Sequence, residues 1–233
     1  MALPKIDLPL NELVLPSTGG KVKYRPFTVK EEKVLLVAAE TKDPYAEMMA
    51  IKQVVNNCLF DIDISEIAMI DLEYVFLKLR SSSVSNTTEF VITDPDTKEQ
   101  ITLDFDIETM ETIHHPDHSK EVQINDELTL FLQYPSIDDF ASILDMDPND
   151  PLLNYRIMVA CLDKIATEDE VHYFKDHSEQ EIADFMDSMS GDVIKKVTKF
   201  FETMPKLRQE LKYTNSKGDE KTFVVEGMRT FFT

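Results

Sequence analysis

The apolar residues of this chain change their period three times along its length, and no single regular architecture accommodates all four stretches. Behind Thr28, Val34, Leu35, Ala38 and Ala39 fall at helical spacing, and Thr28 with Glu31 three residues on makes a capping-box sequence. Pro44 suits the first turn of a second helix, which runs roughly to Leu59 through Tyr45, Met48, Ile51, Val55 and Cys58. A third helix is expected from about Asp71 to Leu79. The spacing then drops to two. TEFVIT (88–93) and EQITLDF (99–105) alternate around DPDTK, a hairpin sequence. EVQIN and ELTLFLQY propose a second hairpin over 121–134, with Asn125 and Asp126 in its turn. Between them, the polar residues 106–120 read as a loop.

Helical spacing returns after Tyr134 with Phe140, Ile143 and Leu144. PLLNYRIMVACLDKIA reads as one longer helix ending near Ala166. Ser178 and Glu181 form a second capping box before IADFMDSM, and DVIKKVTKFFETM gives a helix between Gly191 and Pro205. Two strands around NSKGD are expected at the end. The fold expected is therefore α+β, a mostly helical body with a small antiparallel sheet or hairpins in the middle and a C-terminal hairpin. Five segments result: an extended N-terminal arm at 1–27, helices at 28–85, antiparallel β at 86–135, helices at 136–205, and a β hairpin with tail at 206–233. With 233 residues, 42% of them hydrophobic, such a chain buries a real core as one domain or as two small lobes.

Charge narrows the function. A formal net charge of −20 opposes free nucleic acid, whose binders carry a basic excess, and opposes anionic lipid. It favours basic protein surfaces. The acids concentrate between Ser136 and Asp192, and a basic run extends from Val193 to Lys217. These are either two solvated faces that attract one another within the fold or a polar rim that steers a partner. MALPKIDLPL breaks on prolines and charges before any long apolar run, so neither a signal peptide nor a membrane span is expected there. Cys58 and Cys161 lie in apolar periodic segments and read as buried free thiols.

Several motifs invite a chemical reading and fail on spacing. In LPSTGGKVKYRPFTVKEEKVLL (15–36), Gly19 and Gly20 are adjacent and Val22 stands where a phosphate loop needs a hydroxyl after Lys21. The alternation K-V-K-Y-R is that of an extended strand, so the glycines read as a turn before an edge strand. DMDPNDPLLNYR offers Asp145, Asp147 and Asn149 to calcium, but puts Asp150 at the glycine position and Arg156 at the bidentate glutamate. HHPDHSKE gathers His114, His115, Asp117 and His118 in a polar stretch that reads as a surface loop rather than a metal centre. No nucleophile motif is present in the sequence, and no catalytic, cofactor-binding or metal-binding residue is assigned.

The first block, read with KQVVNNCLFDIDISEIAMIDLEYVFLKLRSSSV (52–84) and the closing GMRTFF, resembles the T4-type phage baseplate hub protein family, which includes a hub subunit and a hub-assembly catalyst. The likeness is strongest in the first 85 residues and runs through the Asn57–Cys58 pair to the helix containing YVFLKLRS. It implies that Pro16, Ser17, Gly19, Arg25, Pro26, Phe27, Glu31 and Lys33 are motif positions. The implied role is a structural or assembly component of the hub of a contractile-tail baseplate. Such a component binds other hub or tail-assembly proteins in the infected host cytoplasm and is either retained in the virion tail or active only during assembly. "Catalyst" in that family refers to promoting assembly, so no enzyme, cofactor or membrane insertion is expected. A transient chaperone-like factor absent from the virion is the alternative. A metal-dependent enzyme around His114, His115 and His118 is the remote one.

The candidate partner contacts are Lys23, Arg25, Phe27, Phe231 and Phe232. Arg25 offers a rigid fork to carboxylates or carbonyls, and Phe27 offers area. The same two residues equally suit internal use, with Phe27 packed on the first helix and Arg25 paired to an acid on a helix face.

Overall fold

The structure is a computed structural model that describes residues 6–144, 146–147 and 150–226. The chain divides into two compact units, one made of residues 1–113 and 206–233 and the other of residues 114–205.

The first unit opens with two short strands, β1 (Asn11–Val14) and β2 (Lys21–Tyr24), paired antiparallel from Asn11↔Tyr24 to Val14↔Lys21. Three helices come next: α1 (Val29–Thr41), α2 (Pro44–Cys58) and α3 (Met69–Ser83). Thr28 and Glu31 form the expected capping box, and Pro44 occupies the first turn of α2 behind its Asp43 cap. On α1 only Ala38 of the expected inward stripe is buried; Val34 and Leu35 are half-buried and Ala39 is exposed. Directly after α2 the chain adds β3 (Leu59–Phe60) to the other side of β2, completing a sheet in the order β1-β2-β3. Val54, Val55, Cys58, Leu72, Val75 and Leu79 of α2 and α3 are wholly buried.

β4 (Thr87–Thr93) and β5 (Gln100–Asp106) form the hairpin read from TEFVIT and EQITLDF. Its turn is organised by Asp94, whose carboxylate accepts the amides of Asp96 (2.9 Å) and Thr97 (2.8 Å). A further strand, β6 (Glu111–Ile113), lies inside the stretch expected to be loop.

The second unit carries β7 (Glu121–Gln123), β8 (Thr129–Leu132), helices α4 (Ile137–Leu144) and α5 (Leu153–Ala160), β9 (Leu162–Ala166), β10 (Val171–Tyr173), and helices α6 (Glu179–Asp187) and α7 (Gly191–Thr203). Its four strands make one antiparallel sheet in the order β10-β9-β8-β7. The inner side of this sheet, through Val122, Leu130 and Leu162, packs on Met186 of α6 and on Val193, Val197 and Phe200 of α7. Ser178 caps α6 with Glu181, as expected.

The chain then returns to the first unit through β11 (Lys206–Thr214) and β12 (Glu220–Glu226), the hairpin expected around NSKGD. β11 also pairs with β6, giving the order β12-β11-β6. Phe90, Leu103, Phe105, Leu207 and Val225 from these hairpins bury against Ile70 and Leu77 of α3. Tyr213 donates to Asp94 (3.0 Å) and Ser216 donates its amide to Glu99 (2.7 Å), which ties one hairpin to the other. Burial would push the Asp94 carboxyl pKa up; the backbone and hydroxyl donors around it prevail and hold it well below the usual range.

The expectation of a mostly helical body is overturned. Among the described residues about 41% are helical and 28% are strand, distributed over four sheets. Two segments account for it. The N-terminal arm is folded into a sheet by β3, a two-residue strand too short to announce itself in sequence. PLLNYRIMVACLDKIA is a helix only to Ala160; from Leu162 the chain is the inner strand β9, flanked by β8 and β10. A short apolar run fits a buried helix or a buried strand equally well, and here the neighbouring strands decide.

Candidate partner-binding surface

The block that opens the chain is assembled by three long-range ties to the 52–84 block. In the turn between β1 and β2, the amide of Leu15 donates to Gly20 (2.8 Å) and that of Gly19 to Leu15 (2.9 Å). Gly19 sits at φ +70°, a left-handed conformation that favours glycine. This turn points Ser17 at α3, where the Ser17 amide (2.8 Å) and hydroxyl both donate to Asp71, a carboxylate 1% exposed. The anion held by this glycine turn is thus the protein's own Asp71.

The second tie is Arg25. Its amide donates to the carbonyl of Cys58 (3.0 Å), and its guanidinium donates to the carbonyls of Asn57 (3.0 Å) and Pro26 (3.0 Å) and to Glu31 (3.1 Å). Glu31 is buried, and burial alone would push its pKa up. The Thr28 hydroxyl, the Arg25 guanidinium and the Thr28 amide outweigh burial and hold the carboxyl at about 2. The third tie is the amide of Phe27, which donates to the Ser83 hydroxyl at the end of α3 (2.8 Å); the Phe27 ring is 8% exposed. Arg25 and Phe27 are therefore engaged inside the first unit. Asp71 and Ser83 complete this clasp, and nothing local in the sequence pairs them with Ser17 and Phe27.

Lys23 stands differently. On β2 the side chains alternate, with Val22 and Tyr24 buried and Lys21 and Lys23 exposed. Lys23 lies opposite Glu12 on β1 and Phe60 on β3, and Lys21 pairs with Glu12 at 3.1 Å. The outer face of this sheet thus presents Val14, Glu12, Lys21, Lys23 and Phe60. Phe231 and Phe232 lie outside the described residues.

The histidine stretch divides. His114 and His115 are exposed, whereas His118, expected in a surface loop, is half-buried in the second unit. Its ring packs on Tyr134 (centroids 5.6 Å apart) and Phe200 (5.3 Å). The Thr203 hydroxyl donates to the Lys199 carbonyl (2.7 Å), so His118 Nδ1 donates to Thr203 (2.9 Å) and Nε2 accepts from the Tyr134 hydroxyl (2.9 Å). Burial lowers its pKa, helped by Lys120, His114 and His115, which favours the neutral ring. Among the described residues no group of three His, Cys, Asp or Glu side chains is arranged to hold a metal ion.

Cys58 and Cys161 are buried free thiols, with pKa values pushed by burial to about 11 and about 12. Cations of the basic run pair locally, Lys195 with Asp192, Lys206 with Glu226 and Arg208 with Glu210. Among the described residues no helix is long and apolar enough to cross a membrane.

Comparison with curated proteins and with solved structures gave no match. Comparison with protein families matched residues 9–233 to the family described as T4 bacteriophage base plate protein, a span that takes in both units and every tie of the N-terminal clasp. The chain belongs to the T4 bacteriophage base plate protein family.

Proposed function

We propose that this protein is a non-enzymatic structural or assembly component of the hub of a contractile-tail baseplate, working by protein–protein binding. The observation that carries the reading is the family match across residues 9–233. The use of the motif polar groups supports it: Ser17, Arg25 and Glu31 are spent on internal hydrogen bonds that hold a small sheet rigid, and the face left outward mixes aliphatic, aromatic and charged side chains. Surfaces of that mixture suit protein partners. Of the contacts expected from sequence, Lys23 is one that the fold leaves accessible.

The test is cross-linked capture of the full chain from infected cells, with identification of the captured proteins. Baseplate hub proteins are the expected catch, and a capture containing no tail component contradicts the reading. Mass spectrometry of purified tails then decides between a resident subunit, found in stoichiometric amount, and a chaperone-like factor, found in none.

A further inference from the structure

A role as an assembly component leaves open how a partner is held. β1 is the outer strand of its sheet, and among the described residues no strand pairs on its far side. The hydrogen bond from the Leu15 amide to Gly20 sets the alternation of the β1–β2 ladder. Leu13 and Asn11 bond to β2, so Glu12 and Val14 turn both N–H and C=O outward. Ladder pairing ends at Asn11↔Tyr24, where the next bonded position would oppose Pro9 to Pro26, neither of which has an N–H to give.

The outward edge is short, four residues set between Pro9 and Pro16, which limits what can pair with it. Within the strand itself there is neither proline nor lysine. β1 presents Val14, 49% exposed, and is preceded by Leu10 at 63% and Ile6 at 89%. Its charged side chain is Glu12, in a solvent-exposed pair with Lys21 of β2 at 3.1 Å, and Asp7 precedes the strand.

Resting on the assembly role, we infer that the free edge of β1 receives an extended strand of another assembly protein, apolar and basic in alternation, through main-chain hydrogen bonds to Glu12 and Val14. Charge selects this occupant over a second copy of the chain. Antiparallel self-pairing that brings Leu10 opposite Val14 also sets Glu12 opposite Glu12, between molecules of net charge −20 each. Like charges directly opposed destabilise a strand pair, whereas a lysine or arginine there completes it.

Residue-resolved amide exchange on the full chain tests this with three peptides at millimolar concentration: alternating valine and lysine, alternating valine and glutamate, and a copy of residues 8–15. The valine–lysine peptide is expected to slow exchange at Glu12 and Val14 by about tenfold, and the other two to leave it unchanged. Glu12→Lys, which keeps the backbone edge, should transfer the response to the valine–glutamate peptide. Slowing by the copy of residues 8–15 alone, equal slowing by both charged peptides, or slowing by none overturns the inference. Capture of hub proteins by the unaltered chain in the face of any of those results leaves the proposed function standing, so the two failures are distinguishable.

Discussion

Ser17 gives both its amide and its hydroxyl to the buried carboxylate of Asp71, 54 residues further along the chain. A glycine-containing turn that looks built for a ligand is thereby closed on the first turn of α3. Asp71→Ala leaves the two Ser17 donors without their acceptor at a partly buried site. Hydrogen bonds to a charged partner contribute about 1.5–3 kcal/mol, so a loss of about 2–3 kcal/mol is expected. Denaturant unfolding with an unchanged slope measures it, and a midpoint equal to that of the unaltered protein contradicts the clasp.

Glu31 makes the first unit sensitive to acid. Its carboxyl ionises at about 2 in the folded protein, below the ordinary 4.5. Its contribution is therefore present above 4.5 and is lost as pH falls toward about 2. Glu31→Gln removes the Arg25 pair at all pH values. The variant is expected to melt lower at pH 7, with the difference from the unaltered protein narrowing as pH falls through that window. A constant difference would show that the charge is not the source.

The second unit responds to a different group. The His118 pKa is depressed below the ordinary 6.5, chiefly by burial. The neutral ring contributes fully above 6.5, and the contribution falls away as pH drops through the folded value, because the unfolded chain takes up the proton first. Thermal melts at pH 7.5 and 5.5 should show a loss of stability on acidification that His118→Gln diminishes. An equal loss in the variant assigns the effect elsewhere.

The two glycines of the turn should behave unequally. Gly19 has open space where a Cβ would stand, so Gly19→Ala carries only the cost of its left-handed backbone, about 1 kcal/mol. A Cβ on Gly20 meets the Thr18 hydroxyl at 3.1 Å, so that side chain must give by a few tenths of an ångström, which strains its bond to the Gly20 amide. Pairing each substitution with Thr18→Ala separates the two costs: relief is expected at Gly20 and none at Gly19.

Sequence reached what is local. The capping boxes at Thr28–Glu31 and Ser178–Glu181, the proline start of α2 and the hairpins around Asp94 and Asn215 each arise from residues a few positions apart. It did not reach what depends on distant partners. β3 is a strand because β2 lies beside it, and β9 is a strand because β8 and β10 enclose a stretch whose apolar content suits a helix as well. The same limit holds at the surface: Lys23 is legible as exposed from the K-V-K-Y alternation, but the internal engagement of Arg25 and Phe27 requires Asn57, Cys58 and Ser83 to arrive from another part of the chain.

The role proposed for this protein is in building the baseplate. Its most direct test is the yield of complete tails, counted by electron microscopy, from infections by the phage that encodes it after deletion of this chain. Complete baseplates and tails are expected to be missing and to return when the unaltered chain is supplied in trans. Normal tails formed in its absence would contradict the account.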